Sequence, residues 1–114
     1  MKLLKLIDFF RGGGSFKEFC LLQSLNKGSE VIEIFIEIPL NIDNELKYFE
    51  IEKTGGSTEY TDNGINYYNL FDFYYFLDAI EEANNNQNRF LSNEELAKLL
   101  YNYAINDAYS HLNS

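Results

Sequence analysis

The chain has 114 residues, 46% hydrophobic and 17% aromatic, with a formal net charge of −9 from 18 acids against 9 bases. That composition specifies a folded chain, and the length is that of one domain, residues 1–114. The charge excludes direct binding to nucleic acid or to an anionic membrane surface, both of which need Lys and Arg to neutralise phosphate, and it attracts a basic partner.

The opening MKLLKLIDFF places Leu3, Leu6, Ile7 and Phe10 at helical spacing. Asp8 and Arg11 interrupt the apolar run, so residues 2–10 read as a helix and not as a signal peptide. Gly12, Gly13 and Gly14 stop it. No GK[ST] follows, so the triplet is no phosphate loop. Ser15 and Glu18 form a capping box opening a helix over about 16–26, with Phe16, Phe19, Cys20 and Leu22 inward. Cys20 is the one cysteine. It excludes an internal disulfide, suits a reducing, cytoplasmic compartment, and reads as a small buried hydrophobe.

EVIEIFIEIPL (30–40) alternates strictly and predicts a strand ended by Pro39. LKYFEIEK (46–53) predicts a second. Gly55-Gly56 reads as a hairpin turn, STEYT (57–61) as a third strand, Asp62-Asn63-Gly64 as another turn and INYY (65–68) as a fourth strand. Residues 70–84 form an aromatic helix and NNNQN (84–88) a polar loop. Ser92 and Glu95 box the start of a last helix, about 93–110, with Leu96, Leu99, Leu100, Tyr103 and Ala104 as its apolar stripe. Asp107 falls on that stripe and asks for a partner such as Lys2, Lys5 or Arg89. The fold class is α+β: an antiparallel three- to four-stranded meander with two N-terminal and two C-terminal helices packed on one face.

On a helical wheel Leu70, Phe73, Phe76, Leu77 and Ile80 face the core. Phe71, Tyr75, Asp78 and Glu82 share the opposite stripe, where exposed rings beside charge suit an interface. In the sheet, Ile32, Ile34, Ile36, Phe49 and Ile51 facing the helices leave Glu33, Phe35, Glu37, Tyr48, Glu50 and Glu52 outside. Carboxylates on neighbouring strands repel, and a cationic partner would relieve them. The turn region adds Glu59, Tyr60, Asp62, Tyr67 and Tyr68, tyrosine being a rigid contact residue.

Nothing names a reaction. His111 is the single histidine and reads as a helix-end charge. No His/Cys cluster has metal spacing, the acids of IDNEL lack the glycine and final glutamate of a calcium loop, and no G-x-S-x-G occurs. The chain is therefore expected to be no enzyme and to need no cofactor and no metal.

In overall profile, a small, acidic, aromatic-rich α+β chain resembles the immunity proteins of bacterial toxin systems, including colicin and contact-dependent growth inhibition pairs. The resemblance implies a cytoplasmic monomer or weak dimer that binds a cognate toxin domain, often a basic nuclease, and blocks it without catalysis. The expected contacts are Glu33, Glu37, Tyr48, Glu50, Glu52, Glu59, Tyr60, Asp62, Phe71, Tyr75, Asp78 and Glu82. Two other classes fit the same residues: a phage-type nucleic-acid mimic that inhibits a DNA- or RNA-binding enzyme, and a homo-oligomeric adaptor whose aromatic stripe packs on itself.

Overall fold

The computed structural model describes residues 1–26, 28–85 and 91–112, with side chains as far as residue 106. Most of the NNNQN stretch, Arg89 and the side chains of Asp107 and His111 lie outside the described residues. α1 (Leu3–Arg11) buries the stripe its spacing predicts, Leu3, Leu6, Ile7 and Phe10. It ends in a Schellman turn: Gly13 takes φ +100°, its N–H donating to the Phe10 carbonyl and that of Gly14 to Phe9. α2 (Phe16–Leu22) opens on the expected cap, the Glu18 N–H donating to Ser15 Oγ at 3.1 Å. It stops short of 26 because Ser24 takes φ 55° and the Leu25 N–H turns back to the Cys20 carbonyl. Leu22 is consequently exposed rather than inward.

Four strands follow: β1 (Ile32–Glu37), β2 (Leu46–Glu50), β3 (Glu59–Asp62) and β4 (Ile65–Asp72). They pair antiparallel in the order β2-β1-β4-β3. The α+β class, the antiparallel sheet and the terminal helices are as the sequence implies. The strand order is that of two hairpins joined through β1 and β4. Asn63 (φ 51°) and Gly64 (φ 78°) make the two-residue turn of the second hairpin. β2 ends sooner than the alternation over 46–53 suggests, because Ile51–Thr54 form one helical turn, α3, closed by Gly55 at φ 67°. Gly55-Gly56 thus caps a helix instead of turning a hairpin.

β2 and β3 are the two edges, so residues 51–58 must cross the sheet. They cross the face turned away from the other helices, and Glu33 holds them there. Glu33 is 7% exposed as a residue, and its carboxylate accepts from Thr54 Oγ1 through one oxygen and from Asn69 Nδ2 through the other, each at 2.8 Å. The Asn69 N–H donates to the Thr58 carbonyl at 2.7 Å. The sheet curls around this crossing. The rings of Phe49 on one edge and Tyr60 on the other are 4.9 Å apart, where flat strands at those positions would be separated by about 14 Å. A register shift between Ile34 and Phe35 against β4 adds to the bend. The concave face so formed holds a small core of Phe35, Phe49 and Tyr67, with Tyr60 at its margin.

The convex face carries the main core. Ile32, Ile34, Ile36, Leu46, Tyr48 and Leu70 meet α1, α2, α4 (Phe73–Asn85) and α5 (Asn93–Leu112). Partners across strands share a face, and Tyr48 pairs with Ile34 while Phe49 pairs with Glu33. The faces of β2 are therefore the reverse of those expected. Because the curl buries both sides, both sides are apolar, and alternation alone does not say which side meets the helices. No helix among the described residues is long and apolar enough to cross a membrane.

Tyr48 brings a hydroxyl into this core. Its ring packs edge-on against Phe19 at 4.8 Å, and its oxygen has no hydrogen-bond partner among the described residues. Burial, helped by the charge of Glu45, pushes its phenol above the ordinary range. A buried unpaired hydroxyl costs roughly 1–3 kcal/mol. Tyr48→Phe should therefore stabilise the chain by about 1 kcal/mol, raising the melting temperature by roughly 4 °C or more. A lower melting temperature would mean that the hydroxyl is bonded in solution.

Candidate functional site

The site is built on α4 and α5. α4 starts later than the wheel assumed: Asp72 Oδ1 accepts from the Tyr75 N–H at 2.8 Å, the geometry of an N-cap, so Leu70 and Phe71 belong to β4. Phe73, Phe76, Ile80 and Ala83 enter the core. Phe71 is half-buried, its ring 5.5 Å from Tyr75 and 6.2 Å from Phe76. It does not lie on one helical stripe with Tyr75, Asp78 and Glu82. α5 buries Leu96, Ala97, Leu100 and Ala104. Leu99 and Tyr103, expected in its apolar stripe, are instead 56% and 53% exposed.

A groove of about 240 Å³ runs between the two helices, lined by Tyr75, Ala79, Glu82, Ala83, Leu99, Leu100 and Tyr103. Tyr75 and Tyr103 stack in it, centroids 5.6 Å apart and planes within 11°. Tyr74, Asp78 and Glu81 are exposed on the same helix as Tyr75. α4 carries three acids and no base. Asp78 faces Glu81 and Glu82 at i+3 and i+4, which repels by a few tenths of a kcal/mol, and acids near a helix C-terminus oppose its dipole. Lys98, the one Lys or Arg of α5, acts on Glu95. The Ser92 N–H and hydroxyl hold that carboxyl below its usual range, with Lys98 adding to the effect.

α1 ties the two groove helices together. It packs against both helices. Arg11 Nε donates to Asn84 Oδ1 of α4 at 3.0 Å, and Nη1 to Asn93 Oδ1 of α5 at 3.0 Å and to the Leu91 carbonyl at 2.8 Å. Asn93 Nδ2 donates in turn to Asp8 at 2.6 Å.

The other expected contacts do not gather into one face. Glu33 and Tyr48 are buried, one under the crossing segment and one in the main core, and neither is available to a partner. Glu50 and Glu52 do not join Glu33 and Glu37 on a strand face, so the cross-strand repulsion expected of them does not arise. Glu50 accepts from the Asn26 N–H at 3.0 Å. Glu52 accepts from the Ser29 hydroxyl and the Glu30 N–H, with the Ser29 bond the main cause of its lowered pKa. Both acids anchor the connection before β1. Glu37 and Asp62 lie near Tyr67, whose phenol is pushed up first by burial and then by these two charges. Glu59 and Tyr60, with Ile38, Thr61 and Asn66, line a separate depression of about 280 Å³ at the β3 edge. Of the expected set, only Tyr75 and Glu82 line the groove, with Asp78 exposed on the same helix, and they are joined there by Leu99 and Tyr103 of α5. The signal for the last two was present: they are an i, i+4 pair beside a seam of Leu96, Ala97, Leu100 and Ala104 that is apolar enough without them.

Among the described residues no group of three His, Cys, Asp or Glu side chains is placed to hold a metal ion. Comparison of the chain with protein-family models, with curated proteins and with solved structures finds no match.

Proposed function

We propose that this chain is a cytoplasmic, non-catalytic immunity-type protein that binds and neutralises a cognate cationic toxin domain, a nuclease by the chemistry of its surface. The observation that carries the reading is the α4–α5 face: Tyr75, Leu99 and Tyr103 exposed together with Glu82 along one groove, with Tyr74, Asp78 and Glu81 exposed elsewhere on α4. Exposed rings supply anchors, and carboxylates without an ion pair among the described residues attract a basic surface that would otherwise hold phosphate. Self-association through the same face is disfavoured, since each copy brings a charge of −9. A nucleic-acid-mimic inhibitor would use the same surface, and the identity of the captured enzyme separates the two.

The test is co-purification with the product of the adjacent gene, followed by a nuclease assay with and without this chain. Stoichiometric inhibition supports the reading; a tight homodimer that buries Tyr75 and Tyr103 and captures nothing refutes it. Electrostatic steering makes a further outcome specific. Raising salt from about 0.15 M to 0.5 M shortens the screening length from about 8 Å to roughly half that, so the association rate should fall about tenfold or more. Glu82→Lys should lower the same rate severalfold while leaving the melting temperature unchanged or raised, because it also relieves repulsion within α4. An association rate indifferent to both changes would remove the electrostatic basis of the proposal.

A further inference from the structure

On the reading of a cationic protein partner, we propose that the α4–α5 groove seats one arginine side chain of that partner, its guanidinium stacked on the Tyr75–Tyr103 pair and its charge met by Glu82. The size of the groove, about 240 Å³, lies below the roughly 300–1,000 Å³ typical of small-molecule sites, so it suits a single side chain better than a cofactor. Part of its lining is two stacked, nearly parallel rings, 11° apart in plane. A flat, delocalised cation extends such a stack, whereas a compact ammonium does not. Ala79, Ala83 and Leu99 give the methylene stem an apolar bed. Glu82 lines the groove and has no ion-pair partner among the described residues. A carboxylate beside two ring faces is complementary to a guanidinium on charge and on shape together.

The experiment uses the full chain and three capped tripeptides, Gly-Arg-Gly, Gly-Lys-Gly and Gly-citrulline-Gly, followed through the ring resonances of Tyr75 and Tyr103. The arginine peptide should give saturable shifts confined to the groove. It should bind roughly fivefold tighter than the lysine peptide and at least tenfold tighter than the uncharged citrulline peptide. Glu82→Gln and Tyr103→Ala, both at exposed positions, should each weaken it roughly fivefold with the circular dichroism spectrum unchanged. Equal affinity for arginine and lysine, equal affinity for arginine and citrulline, or shifts that never saturate would each overturn the proposal. The two readings fail separately. Toxin capture that survives loss of arginine binding leaves the partner reading intact and removes the arginine seat. Arginine-selective shifts with no toxin captured do the reverse.

Discussion

Glu33→Ala should lower the unfolding free energy by about 2–4 kcal/mol, and Glu33→Gln by about 1 kcal/mol or less. The contrast follows from what the carboxylate holds. Thr54 Oγ1 and Asn69 Nδ2 each donate to one of its oxygens at 2.8 Å, beneath the segment that carries the chain from one sheet edge to the other. Alanine leaves the Thr54 hydroxyl without its acceptor and Asn69 Nδ2 with only its longer 3.4 Å bond to the Ser57 carbonyl, and each such loss costs up to about 1–3 kcal/mol. Removing a buried carboxylate also recovers its desolvation penalty, which keeps the estimate below the sum of the two losses. Glutamine keeps the shape. Its oxygen accepts from Asn69, and its amide donates to a Thr54 hydroxyl that reverses its role. Urea titrations of the three proteins decide the matter. If alanine and glutamine cost the same, or if alanine costs less than about 1 kcal/mol, Glu33 is not the anchor of the crossing. On the proposed function, a loss of partner binding in Glu33→Ala that tracks only its loss of folded protein would complete the case that this residue acts through the fold.

Glu33 also shows where the sequence was legible and where it was not. Local signals read well. The Ser15 and Ser92 caps form as their spacing predicts, and the Glu95 N–H donates to Ser92 Oγ at 3.0 Å while the Ser92 N–H donates back to Glu95. The Asn63-Gly64 turn and the core stripe of α1 are equally local. What failed was the assignment of faces, because that depends on a long-range event. Alternation in β1 and β2 says that two sides differ. It does not say that the sheet curls until Phe49 touches Tyr60, or that the chain then crosses the concave side. Once it does, an acid between isoleucines stops being a surface residue and becomes a bracket. Phe71 failed for a nearer reason. The run from Ile65 to Phe76 is aromatic in both its strand and its helical part, so periodicity had no edge to find, and the cap residue Asp72 was the one local mark of the change.

The same separation applies to the acidic charge. Glu50 and Glu52 are spent on backbone N–H groups of residues 26 and 30, and Glu33 on side chains inside the fold. Asp78, Glu81 and Glu82 have no such role among the described residues and sit where they repel one another near a helix C-terminus. On the proposed function, an arrangement that costs stability and returns no contact among the described residues is explained by a partner. That is why the functional reading rests on α4 and α5 rather than on the net charge.

Arg11→Ala should cost about 2–4 kcal/mol and shift the urea midpoint down by roughly 1–2 M. Arg11 is half-buried at the end of α1, and one guanidinium serves acceptors on both groove helices: Asn84 on α4, and Asn93 with the Leu91 carbonyl at the start of α5. Hydrogen bonds from a charged donor are worth about 1.5–3 kcal/mol when buried, and these three are exposed or only partly buried, so each contributes less than that and together they come to the stated range. Lysine is not a substitute. Its ammonium is a compact centre without the planar fork that reaches separated acceptors, so Arg11→Lys should recover less than half of the loss. The variant also reports on the groove. α1 spaces α4 from α5, and Arg11 ties its last turn to each. Losing the tie should loosen the parallel stack of Tyr75 on Tyr103, seen as a smaller mutual ring-current shift in the folded variant below its melting transition. If Arg11→Ala unfolds at the wild-type midpoint and keeps the ring-current shift, the groove is set by apolar packing of α1 alone, and the clamp adds nothing to it.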